Sequence, residues 1–523
     1  MSRETALLTF GIGPVHTFIA QARRVSDVWS GSYLLSHLIR QAISFVRRQE
    51  GCEMVFPYLE RDDKRIPEGM PNRFVCRVPA ERAESLAQGM KAEVLRIWRE
   101  VVVQGALHDL IPVLHPSAEI RSRQVDSLLD FSWSWTPESE GYASASIEGA
   151  RLYAAARQFR PFAQISETGE KCAVCGERSA LPNGIRDKVR DAWKEAAEHA
   201  ESRKRFFRED QGRLCLVCSA KRVFPIRERW NQRFAAFDEF KPNDRVPYFA
   251  MVKMDGDRMG TILSRGPNEV SGDLEEFHRE VSQALTRFAK GLQNDHSADL
   301  NLDGLDATPI VRTDRLPQLI YAGGDDVLFV CDPRDALALV RGIRQRYIAS
   351  FEKARPYLPN ESNPFTISAA ILFAHFSHPA GLLFHEVEDT LKYVAKAKAG
   401  RDAVALKLIK RGGPPEEVAF QWVDGKAPDG GWVELLERVT GLLRSGELSS
   451  RQSFTLRLEE GTLKSVFQKD EALWIRWLSE RLSRNEGMSG QADELGRLVA
   501  PFFVHDYAAA LRIARFLGRE VER

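Results

Sequence analysis

Apolar and polar positions change their period several times along this chain, and each change marks an element. Residues 6–10 (Ala-Leu-Leu-Thr-Phe) form an apolar run of strand length, and Gly11-Ile12-Gly13-Pro14 turns from it into a helix. Proline suits the first position of that helix, and Val15, Phe18, Ile19 and Ala22 give it one apolar face. A second helical pattern runs from about Ser32 to Val46, and residues 71–78 (Pro-Asn-Arg-Phe-Val-Cys-Arg-Val) return to a strand pattern. Residues 1–160 therefore read as an α+β domain.

Residues 161–245 break the rhythm with two cysteine pairs separated by a charged segment from Arg186 to Asp210, which reads as a solvated helix or loop. Regular alternation resumes over residues 246–412. A strand covers Tyr248 to Met254, a helix Leu274 to Leu292, and a hairpin Gln318 to Cys331. Ala336, Leu339, Val340, Ile343, Tyr347 and Phe351 recur at helical spacing; Phe365 to Phe373 is a strand, Ala380 to Ala399 a helix and Ala403 to Leu408 a last strand. The order βαββαβ is that of a ferredoxin-like sheet. After Gly412-Gly413-Pro414-Pro415 the patterns become helical, which predicts a separate C-terminal helical domain over residues 413–523. A duplication of the α+β unit within residues 1–160 is left open by the sequence.

Composition narrows the class. A chain of 523 residues exceeds one ordinary core, so several domains are expected. The formal net charge of +1 excludes a generic polyanion binder, and any nucleic-acid contact must come from local patches or from partner subunits. No stretch reaches the roughly 18 uninterrupted apolar residues of a membrane span, and the first residues lack a secretory leader pattern. The expectation is a cytoplasmic protein without membrane partners.

The densest chemistry lies in Leu319-Ile320-Tyr321-Ala322-Gly323-Gly324-Asp325-Asp326-Val327-Leu328-Phe329. Two apolar strands flank a turn whose glycines, Gly323 and Gly324, are expected to supply positive φ angles. Asp325 and Asp326 then share a hairpin tip, where like charges repel unless protonated or bridged by a cation. Glycine and aspartate are also ordinary turn residues, so the motif needs support. The strand from Tyr248 supplies it by ending in Asp255-Gly256-Asp257-Arg258-Met259-Gly260. In a βαββ unit the end of the first strand lies beside the following hairpin, so Asp255 is expected to join Asp325 and Asp326 around Mg²⁺ or Mn²⁺. Carboxylates hold such ions and leave positions for substrate phosphates. Gly256 would let the backbone approach a phosphate. Lys396 and Lys398, ahead of Gly400-Arg401-Asp402, could neutralise a triphosphate, although basic residues and glycine are also favoured at any helix C-terminus.

Cys172-Ala173-Val174-Cys175 and Cys215-Leu216-Val217-Cys218 form two CxxC pairs, and four thiolates suit a tetrahedral structural Zn²⁺. The 39 residues from 176 to 214 exceed the spacing of a compact ribbon and imply an insertion. Cys52, Cys76 and Cys331 read as small buried side chains. His375, His378 and His385 have a ligand-like spacing but no matching acidic partner, and read as loop or interface residues. The dipeptides His108-Asp109 and His505-Asp506 lack the further ligands of a metal hydrolase. Gly11-Ile12-Gly13 is a weak phosphate loop.

Taken together, these motifs resemble the large polymerase-like subunit of type III CRISPR effector complexes, in its Cmr (III-B) branch. The resemblance also rests on Gly13-Pro14-Val15-His16-Thr17-Phe18-Ile19, Ala22-Arg23-Arg24, Asp27-Val28-Trp29, Gly31-Ser32-Tyr33-Leu34-Leu35-Ser36 and Pro71-Asn72-Arg73-Phe74. It implies two facing ferredoxin-like palm domains, the first degenerate and helping to form an ATP pocket, with a zinc-binding module between them. It further implies target-RNA-activated conversion of ATP to cyclic oligoadenylates, with other complex subunits, guide crRNA and target RNA as partners. By position, Asp255, Asp325 and Asp326 would hold the metals and carry catalysis. Gly256, Asp257, Gly323 and Gly324 would line the nucleotide site. Lys396, with Lys398 as the alternative, would bind the triphosphate. Many relatives carry an N-terminal HD nuclease domain; here the palm motif begins near Met1, so HD-type DNase activity is not expected. A stand-alone cyclic-dinucleotide synthase, adenylyl transfer to another acceptor and a non-catalytic scaffold are the alternatives.

Overall fold

The computed structural model describes residues 4–59, 66–108, 111–159, 167–182, 186–199, 213–227, 247–294, 297–303, 317–423, 431–448, 461, 465–467, 470–483 and 492–521. The N-terminal half runs β1 (Thr5–Gly13), α1 (His16–Ala20), α2 (Val25–Arg47), β2 (Glu53–Phe56), β3 (Arg73–Pro79) and α3 (Ala83–Arg96). It continues through two short helices, α4 (Ile111–Leu114) and α5 (Ala118–Arg121), to β4 (Asp130–Pro137) and α6 (Tyr142–Gln158). Next come α7 (Arg186–His199) and α8 (Leu216–Arg227). The expected charged segment thus begins as α7, and its remainder to Asp210 lies outside the described residues.

The second half runs β5 (Tyr248–Gly256), α9 (Met259–Leu263), α10 (Leu274–Leu292), the short β6 (Gln293–Asn294) and β7 (Ser297–Leu300), then the hairpin β8 (Gln318–Gly323) and β9 (Asp326–Cys331). It continues with α11 (Ala336–Ser350), β10 (Ile367–His375), α12 (Ala380–Asp389, prolonged by wider helical turns over Thr390–Lys398), β11 (Ala403–Ile409) and β12 (Glu416–Gln421). Helices α13 (Gly431–Ser445), α14 (Glu471–Ser483), α15 (Ala492–Val504) and α16 (Ala509–Arg515) follow. No helix among the described residues is long and apolar enough to cross a membrane.

Two sheets result. The first has the order β2-β3-β1-β4, and the second has β12-β11-β10-β5-β9-β8-β7-β6. Its central strands β8-β9-β5-β10 repeat the order of the first sheet, and all neighbours in both sets are antiparallel. The two sheets thus share one strand order, the feature that a duplication of the α+β unit would leave. Strand β12 pairs with β11, so the second sheet continues past the Gly-Gly-Pro-Pro segment where the sequence placed its end.

Strand alternation assigns the two faces of the second sheet to different cores. Phe249, Met251, Leu328, Val330, Leu372 and Ala405 join the N-terminal residues, including Leu34, Leu38 and Phe74, and the cysteine segment. Ala250, Val252, Met254, Phe329, Ile371 and Val404 join α10, α11 and the C-terminal helices through Trp432, Trp474 and Phe502. The C-terminal helices therefore share a core with this sheet instead of closing one of their own, because the sheet's second face would otherwise lie open. Where the halves meet, α12 lies close against the turn after α1. Its Gly381 N–H donates to the Ala22 carbonyl at 3.1 Å, and a Cβ on Gly381 would lie 2.4 Å from the Ala20 carbonyl oxygen.

Candidate active site and cysteine cluster

Register brings the predicted carboxylates together. Asp255 at the end of β5 lies directly opposite Asp326 at the start of β9, and Gly256 N–H donates to the Asp325 carbonyl at 3.2 Å. Like charges facing each other across a sheet are unfavourable. Burial, followed by the charges of Asp255 and Asp326, pushes the Asp325 carboxyl up to about 7. Burial and the charge of Asp326 also raise Asp255. Asp255 and Asp326 lie on the face of the sheet that meets the N-terminal half, as the alternation from Met251 and Leu328 requires.

The hairpin tip differs in detail from the expectation. Gly324 has φ +69°, a conformation that favours glycine, but Gly323 is not left-handed; it closes β8 by pairing with Asp326. A single left-handed residue is enough because the turn itself contains only Gly324 and Asp325.

Lysines neutralise the carboxylates. Lys396, from the turns that prolong α12, pairs with Asp255 and donates to the Gly256 carbonyl at 3.0 Å, whereas Lys398 is exposed. Lys253 sits two residues before Asp255 on the same face and pairs with Asp326 at 2.5 Å and Glu388 at 3.0 Å. Burial works against its ammonium, but Asp326 and Glu388 outweigh it and hold Lys253 above the ordinary lysine range. Sequence reasoning missed Lys253 and Glu388. A lysine inside an otherwise apolar strand was a readable signal for the first, and nothing local marked the second.

Asp257 is buried, and its carboxylate accepts from Thr366 Oγ1 at 2.9 Å, Ser368 Oγ at 2.8 Å and the Asp402 N–H at 2.9 Å. It therefore pins the Gly400-Arg401-Asp402 turn, in which all three residues have positive φ (+91°, +71° and +41°). Arg344 grips the Asp402 carboxylate from the other side at 2.9 Å. Such a turn persists only where surrounding bonds over-determine it. These contacts make Asp257 a support behind the site.

The four predicted cysteines converge, their sulfur atoms all lying within 4.8 Å of one another. Among the described residues this is the one group of three or more metal-ligand side chains so closely gathered. Each CxxC turn aims an N–H at its first sulfur, Val174 to Cys172 Sγ and Cys218 to Cys215 Sγ, both at 3.4 Å. Burial pushes the Cys215 thiol up, whereas hydrogen bonding from Cys172 pulls Cys175 down. The donor set and its closure fit a tetrahedral metal site. The oxygen set of Asp255, Asp325 and Asp326 fits hard divalent cations, since its crowded charges are what a cation relieves. Its carboxylates stand wider apart than the thiols, with lysines among them.

The remaining candidates fall to structural places. His375 Nδ1 pairs with Ser377 Oγ at 2.8 Å, and His385 lies against His16 at the junction of the halves, ring centroids 5.1 Å apart. His505 packs edge-on against Trp432 at 5.3 Å, and Asp506 takes a left-handed turn; Asp109 lies outside the described residues. Cys76 and Cys331 are buried, and Cys52 is half-buried. The Gly11–Gly13 segment lines a cavity of about 520 Å³ with Asn72, Lys91 and Arg157.

Comparison with known proteins adds the following similarities. Residues 248–405 match the family described as Cas10/Cmr2, second palm domain, and residues 7–103 match CRISPR-associated protein Cmr2, N-terminal. The CRISPR system Cmr subunit Cmr2 of Pyrococcus furiosus is 21% identical over 79% of this chain, which spans 62% of that relative's length. Two cryo-EM structures of type III-B Cmr-beta are similar in fold. One is in the apo state and the other is bound to cognate target RNA. Each contains a chain that aligns with 88% of this one at 12% identity and TM-score 0.56, over 75% and 77% of the matched chains. The two matches follow one another in order along the sequence, so the chain is similar to Cmr2 in its N-terminal part and to the Cas10/Cmr2 second palm domain over residues 248–405.

Proposed function

We propose that this chain is the polymerase-like subunit of a type III-B CRISPR effector and that its second palm converts ATP to cyclic oligoadenylates by 3′–5′ adenylyl transfer. The observation that carries the reading is the pairing of Asp255 opposite Asp326, with Asp325 beside them raised to about 7 by burial and like charge. When bound by these three aspartates, Mg²⁺ or Mn²⁺ would activate a ribose hydroxyl and neutralise the leaving pyrophosphate. The rest is positioning by the chain itself. Lys396 is the ammonium next to the carboxylates and would exchange Asp255 for a triphosphate. Lys253, anchored by Glu388, fixes the orientation of Asp326. Asp257 holds the Gly400–Asp402 turn.

Residues 1–160 serve in this reading as a degenerate first palm facing the second, with 161–245 as a zinc module, 246–412 extended by strand β12 as the catalytic palm, and the helices from Gly431 onward as cover. Guide crRNA, target RNA and the other subunits of the complex are the partners, in keeping with the named relative's place in a Cmr system and with the RNA-bound state of a similar fold.

Incubating the reconstituted complex with labelled ATP and target RNA, then identifying products by mass spectrometry, tests the activity. Asp325→Asn with Asp326→Asn keeps the size of both side chains and removes the charges. The rate should fall by several orders of magnitude, on the order of 4 kcal/mol or more, while complex assembly survives. Product at the parent rate would place the site elsewhere, and a mixed adenylyl conjugate would overturn the product assignment. For Cys172, Cys175, Cys215 and Cys218 we expect one zinc ion per chain in metal analysis, and purified protein free of zinc would refute that.

A further inference from the structure

Tyr347 on α11 is fully buried, yet its hydroxyl has no hydrogen-bond partner among the described residues. Packing fixes where that hydroxyl points. Phe288 meets the ring edge-on with centroids 5.0 Å apart, and Phe351 lies against it at 4.9 Å. The ring reaches Gly256 from the core shared with α10, on the far side of the sheet from Lys253 and Asp326. A Cβ placed on Gly256 would lie 2.5 Å from the tyrosine oxygen and 2.7 Å from Asp325 Oδ2. The hydroxyl and the Asp325 carboxylate therefore flank one α-carbon, and only glycine leaves room for both.

A buried hydroxyl without a partner weakens a fold, since its desolvation is uncompensated, and phenylalanine would fill the same volume without that cost. Unsatisfied polar atoms of this kind call for an explanation, and here the surroundings supply one. Lys396 pairs with Asp255, and Lys253 pairs with Asp326. Asp325 has no ion pair with either lysine among the described residues. Its carboxylate takes a hydrogen bond from its own backbone N–H but from no side chain among the described residues, and Tyr347 is the unpartnered donor beside it at Gly256.

We propose that Tyr347 is a positioning residue for Asp325: its hydroxyl donates to one carboxylate oxygen when the other takes a divalent cation. This rests on the reading of Asp325 as a cation ligand. A phenol suits the task because it orients a carboxylate without cancelling the charge that attracts the cation, as an ammonium would. Outer partners of this type commonly change metal affinity by about ten- to a hundredfold when removed.

The test compares Tyr347→Phe and Asp325→Asn with the parent in the full chain, by Mn²⁺ titration followed with electron paramagnetic resonance and by thermal unfolding without added Mn²⁺. Tyr347→Phe should bind Mn²⁺ about tenfold more weakly and unfold at the same or a higher temperature. ATP turnover in the assembled complex should fall at limiting Mn²⁺ and recover at saturating Mn²⁺. Parent-like Mn²⁺ affinity in Tyr347→Phe overturns the proposal, and so does a lowered unfolding temperature, which would reveal a structural partner for the hydroxyl. Asp325→Asn separates the two levels. Parent-like Mn²⁺ binding there overturns the cation-ligand reading itself, whereas lost binding there with none lost in Tyr347→Phe sinks the tyrosine's role alone.

Discussion

Gly256 shows how much one residue decides. It follows Asp255, and its missing side chain admits the Tyr347 hydroxyl and the Asp325 carboxylate together. An alanine Cβ would stand 2.5 Å from the first and 2.7 Å from the second. Gly256→Ala should destabilise the protein by about 1–3 kcal/mol, as overpacking of a filled site does. In a Tyr347→Phe background the closest clash disappears, so the cost should shrink. A double-mutant cycle by urea unfolding measures this coupling, and additive costs would mean that the two groups do not meet. The sequence motif announced Gly256 as a place for phosphate approach. The reason the structure gives is crowding, and that depends on a tyrosine 91 positions later.

At the scale of elements, α8 ties the cysteine cluster to the junction of the two halves. Immediately after Cys218, the Lys221 ammonium donates to the carbonyls of Phe18 at 2.7 Å and Gln21 at 2.8 Å. Arg222 forms a buried pair with Asp27 at 2.7 Å, and Asp27 also accepts from the Arg23 N–H at 2.9 Å, at the start of α2. Burial opposes the Asp27 charge, but Arg222 outweighs it and holds the carboxyl well below its usual range. Arg222→Met should cost about 3–5 kcal/mol in denaturant unfolding at pH 7, because it strands a buried carboxylate. Adding Asp27→Asn should recover part of the loss. The depressed carboxyl also fixes the acid dependence. The pair contributes fully above the unfolded carboxylate value of 3.8 and loses its contribution as pH falls below it. Failure of the second substitution to recover stability would show that the pair is not the main interaction lost.

For the whole molecule, the relevant contact is that between the halves. Arg77 bridges Glu138 at 2.7 Å and Glu275 at 2.9 Å, joining β3 to α10. Beside it the Tyr142 hydroxyl meets His278 Nδ1 at 2.9 Å. Burial lowers His278 from 6.5 to about 4, so the folded chain keeps it neutral. Between those values the unfolded chain takes a proton that the folded chain refuses, and stability falls as pH drops. The full shift corresponds to about 3 kcal/mol. Comparing urea midpoints of the parent and His278→Gln at pH 7 and pH 5 isolates this residue, since His37 changes in the same direction in both proteins. The parent should lose more stability on acidification than the variant, and equal losses would exclude His278 as the source.

Local pattern alone determined the βαββαβ order between Tyr248 and Leu408, the Gly-Gly-Asp-Asp hairpin and the four cysteines, because each depends on residues near one another in sequence. Period-two alternation, turn chemistry and CxxC spacing all act within a few positions. The sharing of a core between the C-terminal helices and the second sheet was not legible, since an amphipathic helix shows that it needs a partner without naming it. Strand β12 escaped for a similar reason: Gly412 to Pro415 reads as a boundary, but the chain turns there and pairs back onto β11. The carboxylates were readable as a motif, while their counter-ions were not. Lys253, Glu388, Tyr347 and Arg344 reach the site from three separate elements, β5, α12 and α11, and only the register of β5 with β9, and the packing of α11 and α12 on opposite faces of the sheet, brings them together. Asp257 stands in the same motif as Asp255, yet it is buried just past the end of β5, where it holds the Gly400–Asp402 turn. Strand alternation alone would put two aspartates two residues apart on one face, but β5 ends at Gly256 and the path of the chain beyond it carries Asp257 to Thr366, Ser368 and the Asp402 N–H.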